Sequence, residues 1–316
     1  MSDSLQEHYG SVVPPLKRGS VVPFLGAGIN LYDRRSASGW EPARGLPGGA
    51  ELADYLARKF NLSGFETTDL LRVSQYAATK QGTGTLYEEL RELFTGQFAP
   101  TPVHEFLAGL PGRLRALGAP RYQVIVTTNY DDALERTFEA VEEPYDVVWY
   151  IADGKAKGRF WHRPPNDEPI LIRQPRKYSG LALEERTVIL KIHGAVDREN
   201  PGRDSYVITE DHYIDYLTKT DISGLIPAEL LAKLLQSRFL FLGYRLQDWN
   251  LRVILHRIWG EQALSYVSWA IQLESEQIER ELWSRRAVEV YDVPLKTYIA
   301  ELSRRLDEVE PEVDEQ

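Results

Sequence analysis

Six short apolar runs recur along the chain, and several lead straight into a helical pattern. They are "SVVPFLG" near 20–26, "QVIVTT" at 123–128, "TVILKI" at 187–192, "RFLFLG" at 238–243, "YVSWAIQ" at 266–272 and "AVEVYDV" at 287–293. Most are apolar throughout instead of alternating, as strands covered on both faces are. Leu134 and Phe138 recur at helical spacing after the second run. After the fourth, Leu251, Ile254, Leu255 and Ile258 form an apolar face between a capping Asp248 and a terminating Gly260. Pro294 opens a last helix with Leu295, Tyr298, Ile299 and Leu302. Strands alternating with helices predict an α/β fold, a Rossmann-like parallel sheet of about six strands. Residues 45–118 break this rhythm. Their helical patterns ("ELADYLARKF", "LYEELRELF", "VHEFLAGL") contain no convincing strand. The expected organisation is a single domain over 1–306, with its sheet core in about 18–44 and 119–306 and a helical insertion at about 45–118. Residues 152–186, rich in Gly, Pro and charge, read as a second, irregular insertion.

Composition narrows the possible functions. The chain of 316 residues has no cysteine, so it has neither a disulfide framework nor a thiolate zinc site. No apolar stretch approaches the roughly 20 residues of a membrane span, and the start has no signal-peptide pattern. A cytoplasmic protein is expected. Six carboxylates of the formal −10 sit in the tail "DEVEPEVDEQ" at 307–316, which reads as a disordered end and leaves the body mildly acidic. That balance argues against direct nucleic-acid binding.

Four of the strand runs end in polar or glycine-rich corners, and carboxyl ends of parallel strands are where doubly wound sheets hold ligands. Gly26-Ala27-Gly28 lets main-chain N–H groups approach a phosphate, although a tight turn explains it as well and the third glycine of a dinucleotide fingerprint is absent. In Thr127-Thr128-Asn129-Tyr130-Asp131, Asn129 and Asp131 can point into one crevice, or serve as turn residue and helix cap. "VILKIHGAVD" puts Lys191, His193 and Gly194 at a buried strand end, with open space expected beside Gly194. His193 is a natural general base, or a buried histidine with a structural partner. Gly243 closes the fourth strand, and Asp248 and Asn250 lead into a helix. The other histidines, His8, His104, His162, His212 and His256, show no metal-ligand spacing.

Taken in order, "GAGIN", "GLP" at 45–47, "TTNYD", "KIHG" and "FLGYRLQDWNLR" resemble the SIR2-like family over roughly residues 18–300, most of all its bacterial antiphage-defence branch. Sirtuins carry Gly-Ala-Gly-Ile-Ser, Gly-Ile-Pro, Thr-Gln-Asn-Ile-Asp and a catalytic His-Gly in the same order. The resemblance assigns Asn129 to positioning a water, Asp131 to the nicotinamide pocket and His193 to catalysis. It puts Gly26, Ala27 and Gly28 in the phosphate loop and Gly243 in the loop that receives the adenosine ribose. Asn30, Thr128, Tyr244 and Asp248, in the same stretches, stand with them as expected NAD-binding positions. The departures concern the acyl-lysine side: the four zinc-binding cysteines of protein deacylases are missing, and Gly48-Gly49-Ala50 stands where they have Asp-Phe-Arg.

The resemblance thus implies NAD as a substrate, cleaved with water to nicotinamide and ADP-ribose in abortive antiphage defence, with no metal. The alternatives are a non-catalytic sensor of NAD or ADP-ribose, a zinc-free protein deacylase and, with less support, a hydride-transfer dehydrogenase. An unregulated NAD hydrolase would drain its own cell, and 18–306 is taken up by the catalytic fold. Control is therefore expected through assembly, as a homo-oligomer and with a partner. Related systems point to a HerA-type ATPase, with a short Argonaute as the alternative.

Overall fold

The structure is a computed structural model, and it describes residues 3–32, 34, 39–118, 121–218, 224–244, 255 and 266–308. Asp248, Asn250 and nearly all of the helix expected at 251–258 lie outside the described residues, as does the tail beyond Glu308. The six expected strands are β1 (Val21–Leu25), β2 (Val124–Thr127), β6 (Thr187–Lys191), β7 (Arg238–Leu242), β8 (Ser268–Gln272) and β9 (Val288–Asp292). Three more join them: β3 (Tyr145–Tyr150), β4 (Phe160–Arg163) and β5 (Ile170–Ile172). The sheet runs β5-β4-β3-β6-β2-β1-β7-β8-β9, and every pairing is parallel except β3–β4 and β4–β5. The parallel α/β class stands, but with nine strands among the described residues where about six were expected, and the stretch at 152–186 is not wholly irregular. An acid hides β3: Asp146 lies fully buried in it, accepting from Arg186 Nε at 2.7 Å and bonded to His162 Nε2 of β4 at 2.8 Å.

Both faces of the sheet are covered, because both alternating side-chain sets of each central strand are apolar. Val22 and Phe24 of β1 pack in one layer with Leu230 and Leu234 of α8 (Ala228–Leu235) and Trp283 of α9 (Gln277–Ser284). Val21 and Leu25 face the other layer. This second layer is built by α1 (Asp3–Lys17), α5 (Pro102–Ala116), α6 (Ala133–Ala140) and α10 (Leu295–Leu306). The sequence pattern hides α1, because Pro14 and Pro15 sit inside it. Each removes an N–H donor near the helix end, while their carbonyls still accept from Arg18 and Ser20.

A third apolar cluster joins α2 (Gly49–Lys59), α3 (Leu70–Gln81) and α4 (Thr83–Phe94) to Tyr130, Val196, Tyr206 and Ile208. These last residues belong to the loops that leave β2 and β6 at their carboxyl ends, so this helical layer covers that end of the sheet. Among the described residues no helix is long and apolar enough to cross a membrane.

Candidate active site

Register decides which loops meet. Leu25 of β1 is level with Thr127 of β2 and with Leu242 of β7, and Thr127 is level with Lys191 of β6. Because these four strands are parallel neighbours, their next residues form one row of corners: His193, Asn129, Gly26 and Gly243. Asn129 and His193 each stand two residues past a matched pair. The chain crosses from one side of β1 to the other between β2 and β7, which puts the row at a topological switch point.

The glycine turn is shaped by its neighbour. The Gly26 amide donates to Leu242 O at 3.0 Å and the Gly28 amide to Gly243 O at 2.9 Å. A Cβ on Gly28 would fall 2.5 Å from Gly243 O, and one on Gly26 would fall 2.7 Å from it. Close approach of two main chains therefore requires both glycines, and their N–H groups are spent on it. Asn30, at the end of "GAGIN", donates through Nδ2 to Pro47 O at 3.1 Å, tying "GLP" to the turn, while its Oδ1 is buried without a hydrogen-bond partner.

At the second corner, Thr128 N donates to Leu25 O and its hydroxyl lies 2.5 Å from Tyr244 OH, so the β2 and β7 loops are joined across β1. The Tyr244 ring lies edge-on to Phe24 and beside Gly26. Asn129 is buried; its amide N–H donates to Thr127 Oγ1, and its side-chain Oδ1 is a buried acceptor without a partner. Such an atom costs about 1–3 kcal/mol unless something fills the gap. Asp132 holds the cap position of α6 without a side-chain cap bond, and Asp131, just before it, accepts from Ala133 N through Oδ1 at 3.1 Å in a turn at the helix start. Burial pushes the Asp131 carboxyl up, with the Lys191 ammonium opposing.

His193 is buried, and burial lowers its pKa to about 3, so the imidazole is neutral. Its nearest hydroxyl is Tyr213 OH, 3.3 Å from Nδ1 and 3.5 Å from Nε2, on α7 (Glu210–Thr218). Tyr213 and Tyr216 both meet the ring edge-on. The space beside Gly194 is not open: a Cβ there would lie 2.1 Å from Ser205 O. Gly194 has φ +92°, so it is a backbone requirement. The tyrosines at i and i+3 in "HYIDY" were the available signal for this support, since that spacing puts both on one helix face.

Among the described residues no cluster of three or more His, Asp or Glu is arranged to hold a metal. A cleft of about 870 Å³ lies at the amino end of β3, lined by Glu139, Glu142, Glu143, Arg163, Glu168 and Glu199 among others. None of its lining residues belongs to the row of corners, and its acidity does not suit a phosphate.

The SIR2-like domain family matches residues 123–291, from the start of β2 to β9, and so takes in the Asn129, His193 and Gly243 corners. The chain belongs to the SIR2-like domain family. Among curated relatives, it is 26% identical over 249 residues to NAD(+) hydrolase ThsA of Enterococcus faecium, covering 77% of this chain and 41% of that protein. ThsA of Acinetobacter baumannii (strain 532279) is 29% identical over 248 residues, covering 78% and 41%. ThsA of Bacillus cereus (strain MSX-D12) is 25% identical over 237 residues, covering 74% and 39%. This SIR2-like chain thus spans about two fifths of the length of the curated relatives it matches.

Proposed function

We propose that the chain hydrolyses NAD at the nicotinamide–ribose bond, releasing nicotinamide and ADP-ribose, and that it does so in the cytoplasm as an antiphage defence. The observation that carries the chemistry is an unpartnered Asn129 Oδ1 and a neutral His193, each two residues past the matched pair Thr127 and Lys191 on adjacent strands. Three relatives named as NAD(+) hydrolases support the choice of substrate. The defence role rests on family resemblance.

Nicotinamide leaves as a neutral molecule from a cationic ring, so the reaction needs no acid. It needs a water placed on the far face of the ribose and an acceptor for its proton. Asn129 Oδ1 accepts a hydrogen bond from that water. His193 takes the proton as the C–O bond forms, for a rate effect of about 10² to 10⁴. The ring nitrogen that carries no proton is the base, and the Tyr213 hydroxyl lies within reach of both nitrogens. Asp131 receives the carboxamide through the carboxylate oxygen not bonded to the Ala133 amide. Gly26, Ala27, Gly28, Asn30, Thr128, Gly243, Tyr244 and Asp248 serve the dinucleotide. Activity is switched by assembly, as a homo-oligomer and with a HerA-type ATPase in preference to a short Argonaute.

The test is nicotinamide release from NAD by the purified chain, alone and with the ATPase, with and without an acylated peptide. Release without peptide is expected, lost in Asn129→Ala and His193→Ala and unchanged after chelation. Binding without release would mean a sensor, and release only with peptide a deacylase.

A further inference from the structure

Lys191 ends β6 with 1% of its surface exposed, and its ammonium has two recipients. It donates to the main-chain carbonyl of Asp131 and to Glu135 Oε1, the latter at 2.6 Å. Glu135, on α6, is also buried, and its Oε2 has no hydrogen-bond partner. For stability this is a poor arrangement. A desolvated ion pair with one oxygen unsatisfied contributes no more than a well-packed apolar pair of the same volume.

The location gives it another use. The β2–β6 ladder stops at Thr127 and Lys191, and Ile192 N makes the last bond back, to Thr127 O at 3.0 Å. Beyond it the chain from Thr128 to Asp132 leaves the sheet, and the lysine reaches across to its far end. Its charge also opposes the burial-driven rise of the Asp131 and Glu135 carboxyls and helps to lower Asp132. Lys191 and His193 leave the same strand end, so one segment carries both the proposed base and the tie to the proposed water-positioning corner.

We propose that Lys191 is a positioning residue: its ammonium pins the Asp131 carbonyl, and so holds the Asn129–Asp131 corner against the strand end that carries His193. The catalytic consequence rests on the NAD hydrolase reading; the pinning itself does not. The deciding variant is Lys191→Met with Glu135→Met, which removes both charges and keeps the volume. Its melting temperature is expected within a few degrees of the parent. Amide hydrogen exchange in residues 128–132 is expected to speed up about tenfold or more, while exchange in β6 is unchanged. Nicotinamide release should fall in kcat by about tenfold or more with little change in KM, as for a misplaced catalytic group. Lys191→Arg, which keeps a cation able to donate to the same carbonyl, should retain more turnover than the double variant.

Unaltered exchange at 128–132 would overturn the pinning. So would a double variant that fails to fold, because the pair would then act for stability. Parental kcat in a double variant with a loosened corner would overturn the catalytic consequence. A parent that releases no nicotinamide, alone or with the ATPase, would fail the hydrolase reading, and the exchange arm would still decide the role of Lys191.

Discussion

At the scale of single residues, a buried imidazole behaves unlike an exposed one. An ordinary histidine gains its proton near pH 6.5, but burial holds His193 neutral down to about 3. In the proposed role of general base it would therefore stay available through mild acid. The pH profile of kcat/KM for NAD, which reports the free enzyme, should show no acidic limb near 6.5 from His193. Measured down to the pH where the fold is lost, an inflection at 6–7 that vanishes in His193→Gln would refute this. Two glycines make a second comparison. Gly28→Ala drives a methyl into the Gly243 main chain and should cost on the order of 2 kcal/mol. Gly109→Ala, inside α5 with nothing within 4 Å, should stabilise by about 0.5–1 kcal/mol. Thermal melts of the two, moving in opposite directions, are the check.

Among the elements, α4 and the loop after His193 grip each other. Arg91 donates from Nη1 to Asp197 O and to both Asp204 oxygens, and from Nη2 to Arg198 O. Arg198 in turn donates to Asp132 and to the Thr95 and Gly96 carbonyls, just past the end of α4. A lysine cannot supply this fork, so Arg91→Lys should lower stability by about 2 kcal/mol despite keeping the charge. Chemical denaturation of the variant measures it. Such pairings show what a linear reading misses. β1, β2, β6, β7, β8 and β9 were legible because their side chains are mainly apolar. β3 was not, because Asp146 looks like a loop residue until Arg186 and His162 are brought to it. Asn129 and His193 were legible as polar groups at strand ends. Lys191 with Glu135, and Thr128 with Tyr244, were not, because each pair meets only after the strand order puts their loops together.

At the scale of the whole molecule, three buried histidines among the described residues, held neutral by burial, contribute to the response to acid. His8 and His193 are held at about 3 and His104 at about 4, each mainly by burial. Between those values and 6.5 the unfolded chain binds more protons than the folded one, so stability falls as pH falls through that window. Each contributes up to about 1.4 kcal/mol per pH unit. Asp131 and Glu135, raised by burial, act in the opposite sense. The net expectation is a melting temperature that drops between pH 7 and 5. His104→Gln, which can still reach back to the Thr101 amide as the histidine does at 3.0 Å, should flatten that slope.

The pairing of β1 with β7 also has a consequence in time. Gly26 and Gly243 are in contact, yet 217 positions of chain separate them. At roughly 5–20 residues per second, a ribosome needs about 10–40 s to travel from one to the other. Throughout that interval the nascent chain holds the glycine turn without the strand that closes over it. A site built across this contact therefore cannot close until Gly243 has been made, 217 positions after Gly26.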